Sequence, residues 1–399
     1  MPTAPRILVA LPQFPQDPSS GAARSTVTIG EMLAQSGFSV EVLATTATER
    51  PVRTAVVSLL EEQGVHPEST HVKGSRPELR YRHRGVDYRL LDTTPLGAFA
   101  WQERHGRRFG ELFDEELVRF DPDLLFTYGG EAGDVRRRRR ARQRGVKVVF
   151  SLRNLAYLQP GAFEHVDAIL SNSEFTARRY REVLGVESTP LPLPLDMDDV
   201  RAPERQAVFV TFINPSREKG VMFFARLAEE IGVRRPDAAV LVVESRGTGG
   251  MTVQAGLAGG FELRRHENLM VAEPAAKPRE IYAVTRVLLA PSLWEEPAGR
   301  VVAEALVNGI PAIVSDRGGL AEVARGGAFV LPIPADITPE TARPPDAPAV
   351  EPWFELIGRL LDDEAFYQES SRRAHEAGRI YERSALAQRY AAFFEHILA

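Results

Sequence analysis

Short apolar runs alternate with segments of helical period along this chain, and the alternation starts twice. RILVAL (6–11) is a buried-strand run, followed by a loop rich in Pro, Ser and Gly. RSTVTIGEMLAQSG then shows helical spacing and stops at Gly37, a fitting C-cap. SVEVLAT (39–45) is the next strand-like run. DLLFTY (123–128), KVVFS (147–151) and DAILSN (167–172) repeat the pattern. Such runs suit interior parallel strands covered on both faces by helices. ELRYRHRGVDYRLLDT (78–93) differs, because it alternates around Arg84-Gly85 and predicts a hairpin. Residues 98–120 read as a long helix.

The pattern breaks at DMDDVRAPERQ (196–206), a polar stretch without period that contains Pro203, and we place a linker there. After it the alternation restarts with AVFVTFI (207–213), a helix from EKGVMFFARLAEEIG, and the strand AAVLVVES (238–245). RGTGGMTVQAGLAGG (246–260) reads as a flexible loop. VTRVLLAPS (284–292) and IPAIVSD (310–316) are further strands, 336–352 is a Pro-rich surface loop, and the tail from 350 reads as helices. A chain of 399 residues exceeds one ordinary core. The expectation is an α/β protein of two Rossmann-like βαβ domains facing across a cleft, at 1–200 and 201–383.

Composition narrows the function. The net charge of −5 leaves no general footprint of nucleic-acid binding. No cysteine is present, which excludes disulfide frameworks and thiolate chemistry. The N-terminal apolar run is short and reads as a first strand, not a signal peptide, and no stretch approaches the ~20 apolar residues of a bilayer span. A cytoplasmic protein, peripheral to a membrane at most, is expected. DVRRRRRARQRG (134–145) radiates arginines all round a helix and reads as largely solvated; contact with anionic lipid head groups is the competing reading.

An α/β sheet binds ligands beyond the C-terminal ends of its strands, and the unusual residues fall in those loops. NPSREKG (214–220) joins a strand to a helix. The turn through Asn214 and Ser216 leads to a helix start with free N–H groups, and Arg217 and Lys219 add charges that suit a pyrophosphate. An ordinary turn with surface charges is the bland alternative. SDRGGLAEV (315–323) carries Gly318-Gly319, either for close approach to a ligand or for a tight turn. SSGAARST (19–26) has small residues at the first helix start, where a flexible loop is the simpler reading.

PSLWEEPAGRVVAEAL (291–306) holds Glu296 in a loop and Glu304 one turn into the following helix. Eight residues of pure helix would hold them ~12 Å apart along the axis. The loop brings Glu296 round, so both can touch one ligand across the helix start, towards which the N–H groups of Gly299, Arg300 and Val301 point. Carboxylates accept from hydroxyl pairs, so a sugar, phosphates and a ribose in sequence fit this element. Glu295 competes for the loop position, and a solvated acidic helix start is the bland reading.

PSLWEEPAGRVVAEALVNGIPAIVSDRGGLAEV (291–323) resembles the signature of glycosyltransferase family 4, with its Glu-x7-Glu spacing and Gly-Gly-x-x-Glu turn. The resemblance extends through the second domain, including Glu-Lys-Gly at 218–220, and is looser in the first. It implies the GT-B fold, with helix 384–399 crossing back to complete the first domain. It implies a retaining, metal-independent transfer from a nucleotide-diphosphate sugar, a co-substrate rather than a cofactor, to an acceptor hydroxyl. Glu296 would hold the donor sugar and Glu304 the ribose. Lys219, helped by Arg217, would neutralise the pyrophosphate. The backbone of Ala298, Gly299, Arg300 and Val301 would fix sugar and phosphate, with Gly21 and Ala22 approaching from the first domain. Two features depart from the family. The arginine usual before the phosphate lysine is replaced by Ile213 and Asn214. The usual first-domain histidine is missing from TYGGE (127–131) and SLRN (151–154), which leaves Tyr128, Arg153 and Asn154 as acceptor-side candidates. A sugar-nucleotide epimerase and a non-catalytic nucleotide-sugar binder are the alternatives.

Overall fold

The structure is a computed structural model that describes residues 4–17, 20–49, 55–70, 77–93, 100–275 and 277–399. The chain forms two compact units. One comprises residues 1–172, 176–194 and 383–399, the other 173–175 and 195–382. Position 200 ends a short helix, Met197–Val200, inside the second unit.

Among its described residues the first unit holds nine strands: β1 (Arg6–Ala10), β2 (Ser39–Thr45), β3 (Glu68–Thr70), β4 (Glu78–His83), β5 (Val86–Leu91), β6 (Leu124–Thr127), β7 (Lys147–Leu152), β8 (Ala168–Ser171) and β9 (Thr189–Pro190). Their order is β3-β4-β5-β2-β1-β6-β7-β8-β9. All pairs are parallel except β3–β4 and β4–β5. The β4–β5 hairpin turns at Arg84-Gly85, both with positive φ (49° and 84°), the primed geometry that matches strand twist. The interior strands are apolar on both faces because helices cover both. Leu8, Leu125 and Val148 face one apolar cluster with Phe109 and Phe113 of the helix Ala100–Arg119. Ile7, Phe126 and Val149 face another, which includes Ile29 from the helix Gly21–Gln35. The C-terminal helix Arg383–Leu398 joins this second cluster through Leu386, Tyr390, Phe393 and Phe394, with the Phe126 and Phe394 rings edge to face at 5.1 Å.

The second unit is a six-stranded, fully parallel sheet of order β12-β11-β10-β13-β14-β15. Its strands are β10 (Phe209–Ile213), β11 (Val240–Val243), β12 (Leu269–Ala272), β13 (Thr285–Ala290), β14 (Ala312–Ser315) and β15 (Phe329–Leu331). Two local expectations are corrected here. Residues 249–258 form a helix, not a flexible loop. Two of its glycines serve close packing: a Cβ at Gly256 would press on Leu263, and one at Gly249 on Val271. The Glu244 carboxylate accepts from Gly249 N at 2.6 Å and anchors the helix start. Downstream, the Pro-rich loop ends earlier than expected, because a helix spans Ala347–Asp362 with Pro352 inside it.

The arginine-rich segment is a helix, Ala132–Gln143, and it is not solvated all round. Arg137 pairs with Asp134, and its guanidinium lies 4.9 Å from the Phe109 ring centroid. Arg138 is fully buried and donates to three carbonyls: Gly129 (2.7 Å), Ala162 (2.8 Å) and Glu164 (3.0 Å). Five consecutive arginines concealed these two. Counting charge does not reveal which faces of a helix meet carbonyls that need donors.

Candidate active site

In an open parallel sheet the ligand crevice lies where strand order reverses. In the second unit that point falls between β10 and β13. Their C-terminal loops are 214–220 and 291–299, which carry Lys219 and Glu296.

The two loops hold each other by backbone. Gly220 is left-handed (φ 88°) and precedes the helix Val221–Arg234; a Cβ there would run into the Pro291 carbonyl. Leu293 N donates to Glu218 O at 2.9 Å. Asn214 is also left-handed (φ 65°), and its Oδ1 accepts from Gly247 N at 2.7 Å, fixing the loop after β11. Gly318 and Gly319 come against the backbone of the Glu296 loop, where Gly319 N donates to Glu296 O at 2.6 Å. Of the two readings open for this glycine pair, close approach to a ligand or a tight turn, the structure shows the turn, with Gly318 left-handed (φ 62°) and packed against the neighbouring loop.

Lys219 Nζ forms an ion pair with Glu296 Oε1. Ser292 Oγ donates to the same oxygen at 2.6 Å, and Nζ lies 5.6 Å from the Trp294 ring centroid. Glu296 is 5% exposed. Burial by itself would raise its pKa, but the Lys219 charge and the hydrogen bonds from Lys219, Ser292 and Trp294 outweigh it and hold the carboxyl below the usual range. The Glu296 carboxyl is therefore ionised at neutral pH.

Glu304, also buried, lies on the helix Arg300–Val307, whose N-cap is the left-handed Gly299 (φ 54°). Its two oxygens accept from Tyr282 Oη (2.7 Å) and Arg300 Nε (2.8 Å). Two of a carboxylate's roughly four lone-pair sites are thus taken, and two remain for a diol. Tyr282 was not singled out in the sequence. Its pairing with Glu304 arises only when the helix Pro278–Val284 packs beside the helix Arg300–Val307.

Not every expected residue joins this group. The Arg217 side chain is exposed and donates to the carbonyls of Pro339 (3.4 Å) and Thr341 (3.3 Å), away from Lys219 and Glu296. Ser216 Oγ accepts from Lys219 N at 3.4 Å and shapes the turn. Ala298 is buried.

In the first unit, Gly21 and Ala22 open the helix Gly21–Gln35, capped by Ser20 Oγ on Ala23 N. Tyr128 and Arg153 lie just past the C-terminal ends of β6 and β7 and are buried. Asn154 is engaged locally: its Oδ1 accepts from Ala156 N (3.0 Å) and its carbonyl from Tyr180 Oη (3.0 Å). Among the described residues no three His, Cys, Asp or Glu side chains are grouped to hold a metal ion. No described helix is long and apolar enough to cross a membrane.

Two units built on largely parallel sheets, with Lys219 and Glu296 at the switch point of the second, match the GT-B fold of glycosyltransferases. The model of the family Glycosyl transferases group 1 matches residues 204–343, the segment bearing Lys219, Glu296 and Glu304. Solved structures share the fold along the whole chain. Sucrose-phosphate synthase from Thermosynechococcus elongatus aligns with a TM-score of 0.69 at 16% identity, covering 99% of each chain. The catalytic domain of starch synthase IV from Arabidopsis thaliana, bound to ADP and acarbose, aligns at 0.67 and 13%, again over 99% of each. The Anabaena protein HepE in complex with UDP-glucose aligns at 0.66 and 13%, over 98% of this chain and 99% of its own. No curated protein matches the sequence. The chain is a glycosyltransferase enzyme of GT-B fold.

Proposed function

We propose that this enzyme is a retaining glycosyltransferase of the family 4 type. It moves a sugar from a nucleotide-diphosphate sugar to an acceptor hydroxyl without a metal ion. The observation that carries the reading is the Lys219–Glu296 ion pair at the switch point of the second sheet, beside the starts of two helices. Helix starts and a lysine suit a diphosphate, and a buried carboxylate suits sugar hydroxyls.

When the donor binds, its phosphate oxygens take over Lys219, and Glu296 is released to accept from the sugar. Glu304 holds the ribose through its two remaining lone-pair sites. The acceptor oxygen then forms a bond to the anomeric carbon while the bond from that carbon to the phosphate oxygen breaks. Lys219 and the backbone N–H groups of Gly299, Arg300 and Val301 stabilise the leaving diphosphate, and a phosphate oxygen takes the acceptor proton. Tyr128, Arg153 and Asn154 serve the acceptor, and Gly21 and Ala22 the phosphates. Arg217 contributes only if it leaves the carbonyls of Pro339 and Thr341. We place the enzyme in the cytoplasm. The exposed Arg136, Arg139 and Arg144 of the arginine-rich segment offer a contact for anionic membrane surfaces.

The test is a thermal-shift screen of UDP-, GDP-, ADP- and dTDP-sugars, followed by assays of donor hydrolysis and transfer with and without a chelator. A ligand that binds only the folded state at 100 times its Kd adds about 2.7 kcal/mol of stability. NMR of the product anomer decides retention. Absence of a shift with every donor, or a product of inverted configuration, overturns the proposal.

A further inference from the structure

Among the described residues of the first unit three arginines are buried; Arg137 pairs with Asp134, while Arg138 and Arg153 are treated in opposite ways. Arg138 is 0% exposed, and each of its three donor nitrogens reaches a backbone carbonyl. Arg153 is 7% exposed, and only its Nε is used, donating to Ser151 Oγ at 2.9 Å. Its Nη1 and Nη2 are buried without a hydrogen-bond partner. No described carboxylate pairs with it. The Tyr390 hydroxyl, which donates to Pro192 O at 2.7 Å, lies beside the guanidinium and can accept from it, but it is neutral and leaves the buried charge unbalanced. Burial accordingly pulls the Arg153 pKa below the usual arginine range.

Orphaned groups recur on the adjoining strands. Tyr128 follows β6, is 5% exposed, and its hydroxyl has no partner. Asn172 follows β8, is 8% exposed, and donates through Nδ2 to Arg153 O at 3.2 Å while its Oδ1 goes unused. Three consecutive strands, β6, β7 and β8, thus end in buried polar side chains with unmet hydrogen-bonding capacity. Buried polar groups are normally satisfied, and a buried unpaired charge is the least tolerated exception. The Nη edge of a guanidinium is a planar fork matched to an oxyanion. Ser151 fixes the other edge, since its Oγ lies 2.8 Å from Thr26 Oγ1 and 2.9 Å from Arg153 Nε.

We propose that Arg153 receives an oxyanion of the acceptor, a phosphate or a carboxylate, so that the acceptor substrate is anionic, with Tyr128 and Asn172 meeting its neighbouring hydroxyls. The inference rests on the transferase reading above and adds the substrate class. Neither Nη touches solvent, so the oxyanion reaches them only as the loop that follows β7 shifts.

The experiment measures thermal unfolding of the whole chain in phosphate, acetate and chloride at equal ionic strength. It uses the wild type, Arg153→Met, Arg153→Lys and Lys219→Ala. Phosphate or acetate is expected to raise the midpoint of the wild type and of Lys219→Ala over chloride, and not that of Arg153→Met. The ion that acts separates a phosphate ligand from a carboxylate. Arg153→Lys, which keeps the charge and loses the fork, is expected to bind the same ion at least ~10-fold more weakly, and it decides the matter should Arg153→Met fail to fold. With a donor in hand, the preference for glucose 6-phosphate or glucuronate over glucose is expected to fall roughly 100-fold in Arg153→Met. An equal ion effect in wild type and variants overturns the inference, as does no ion effect in the wild type. Nucleotide-sugar binding read in the same assay keeps the two apart: if it persists while the ion effect is absent, only this inference fails.

Discussion

The switch point of the second sheet and the strand ends of the first are built on opposite terms. In the second unit each charged side chain at the site has a partner: Lys219 has Glu296, and Glu304 has Tyr282 and Arg300. In the first unit Tyr128, Arg153 and Asn172 end their strands with hydrogen-bonding capacity to spare. A satisfied site is stable as it stands and must exchange partners to bind. An unsatisfied one has given up stability that a ligand returns. On the readings proposed above, the donor belongs to the first arrangement and a charged acceptor to the second.

The largest effect should come from breaking the satisfied side. Glu296→Gln keeps the size and removes the charge; transfer should fall by about 10²–10³ in kcat, the range for one transition-state electrostatic contact. A steady-state assay that finds unchanged kcat would remove Glu296 from the chemistry. Next is Gly220→Ala, whose Cβ meets the Pro291 carbonyl at a left-handed φ. It should lower stability by about 2–4 kcal/mol and disturb both site loops, seen as a lower urea midpoint. Tyr282→Phe removes only the hydroxyl on Glu304. The donor KM should rise about 5–10-fold with kcat held, and a donor lacking the ribose hydroxyls should not sense the change.

The smallest effect is on pH dependence. Glu296 has a folded pKa below its unfolded value of about 4.5. Its contribution to stability is therefore present above the unfolded value and lost as pH falls through the folded one. Acid unfolding of Lys219→Ala should show less of this loss, because the charge that depresses the Glu296 pKa is gone. A profile identical to wild type would mean that the pair does not control the carboxyl.

Much of the architecture was readable from residues alone. The strands at 6–11, 39–45 and 207–213 announced themselves by uninterrupted apolar runs, and the 78–93 hairpin by alternation around Arg84-Gly85. The helix at 249–258 was missed because glycine reads as looseness when its neighbours are unknown; here it permits contact with Leu263 and Val271. Arg137 and Arg138 were hidden inside a run of like residues. Arg217 stands two residues from Lys219, yet it points to the loop at 339–341.

Local pattern settles what depends on neighbours along the chain: the period of apolar residues, the turn chemistry, and the two carboxylates with seven residues between them. It does not settle which side chain a charged group meets, because that partner arrives from distant sequence. Lys219 finds Glu296 across 77 positions, Arg138 finds Ala162 across 24, and Arg153 finds no carboxylate among the described residues. Hydrogen bonds and ion pairs act over a few ångströms of space, and only folding turns separation along the chain into proximity.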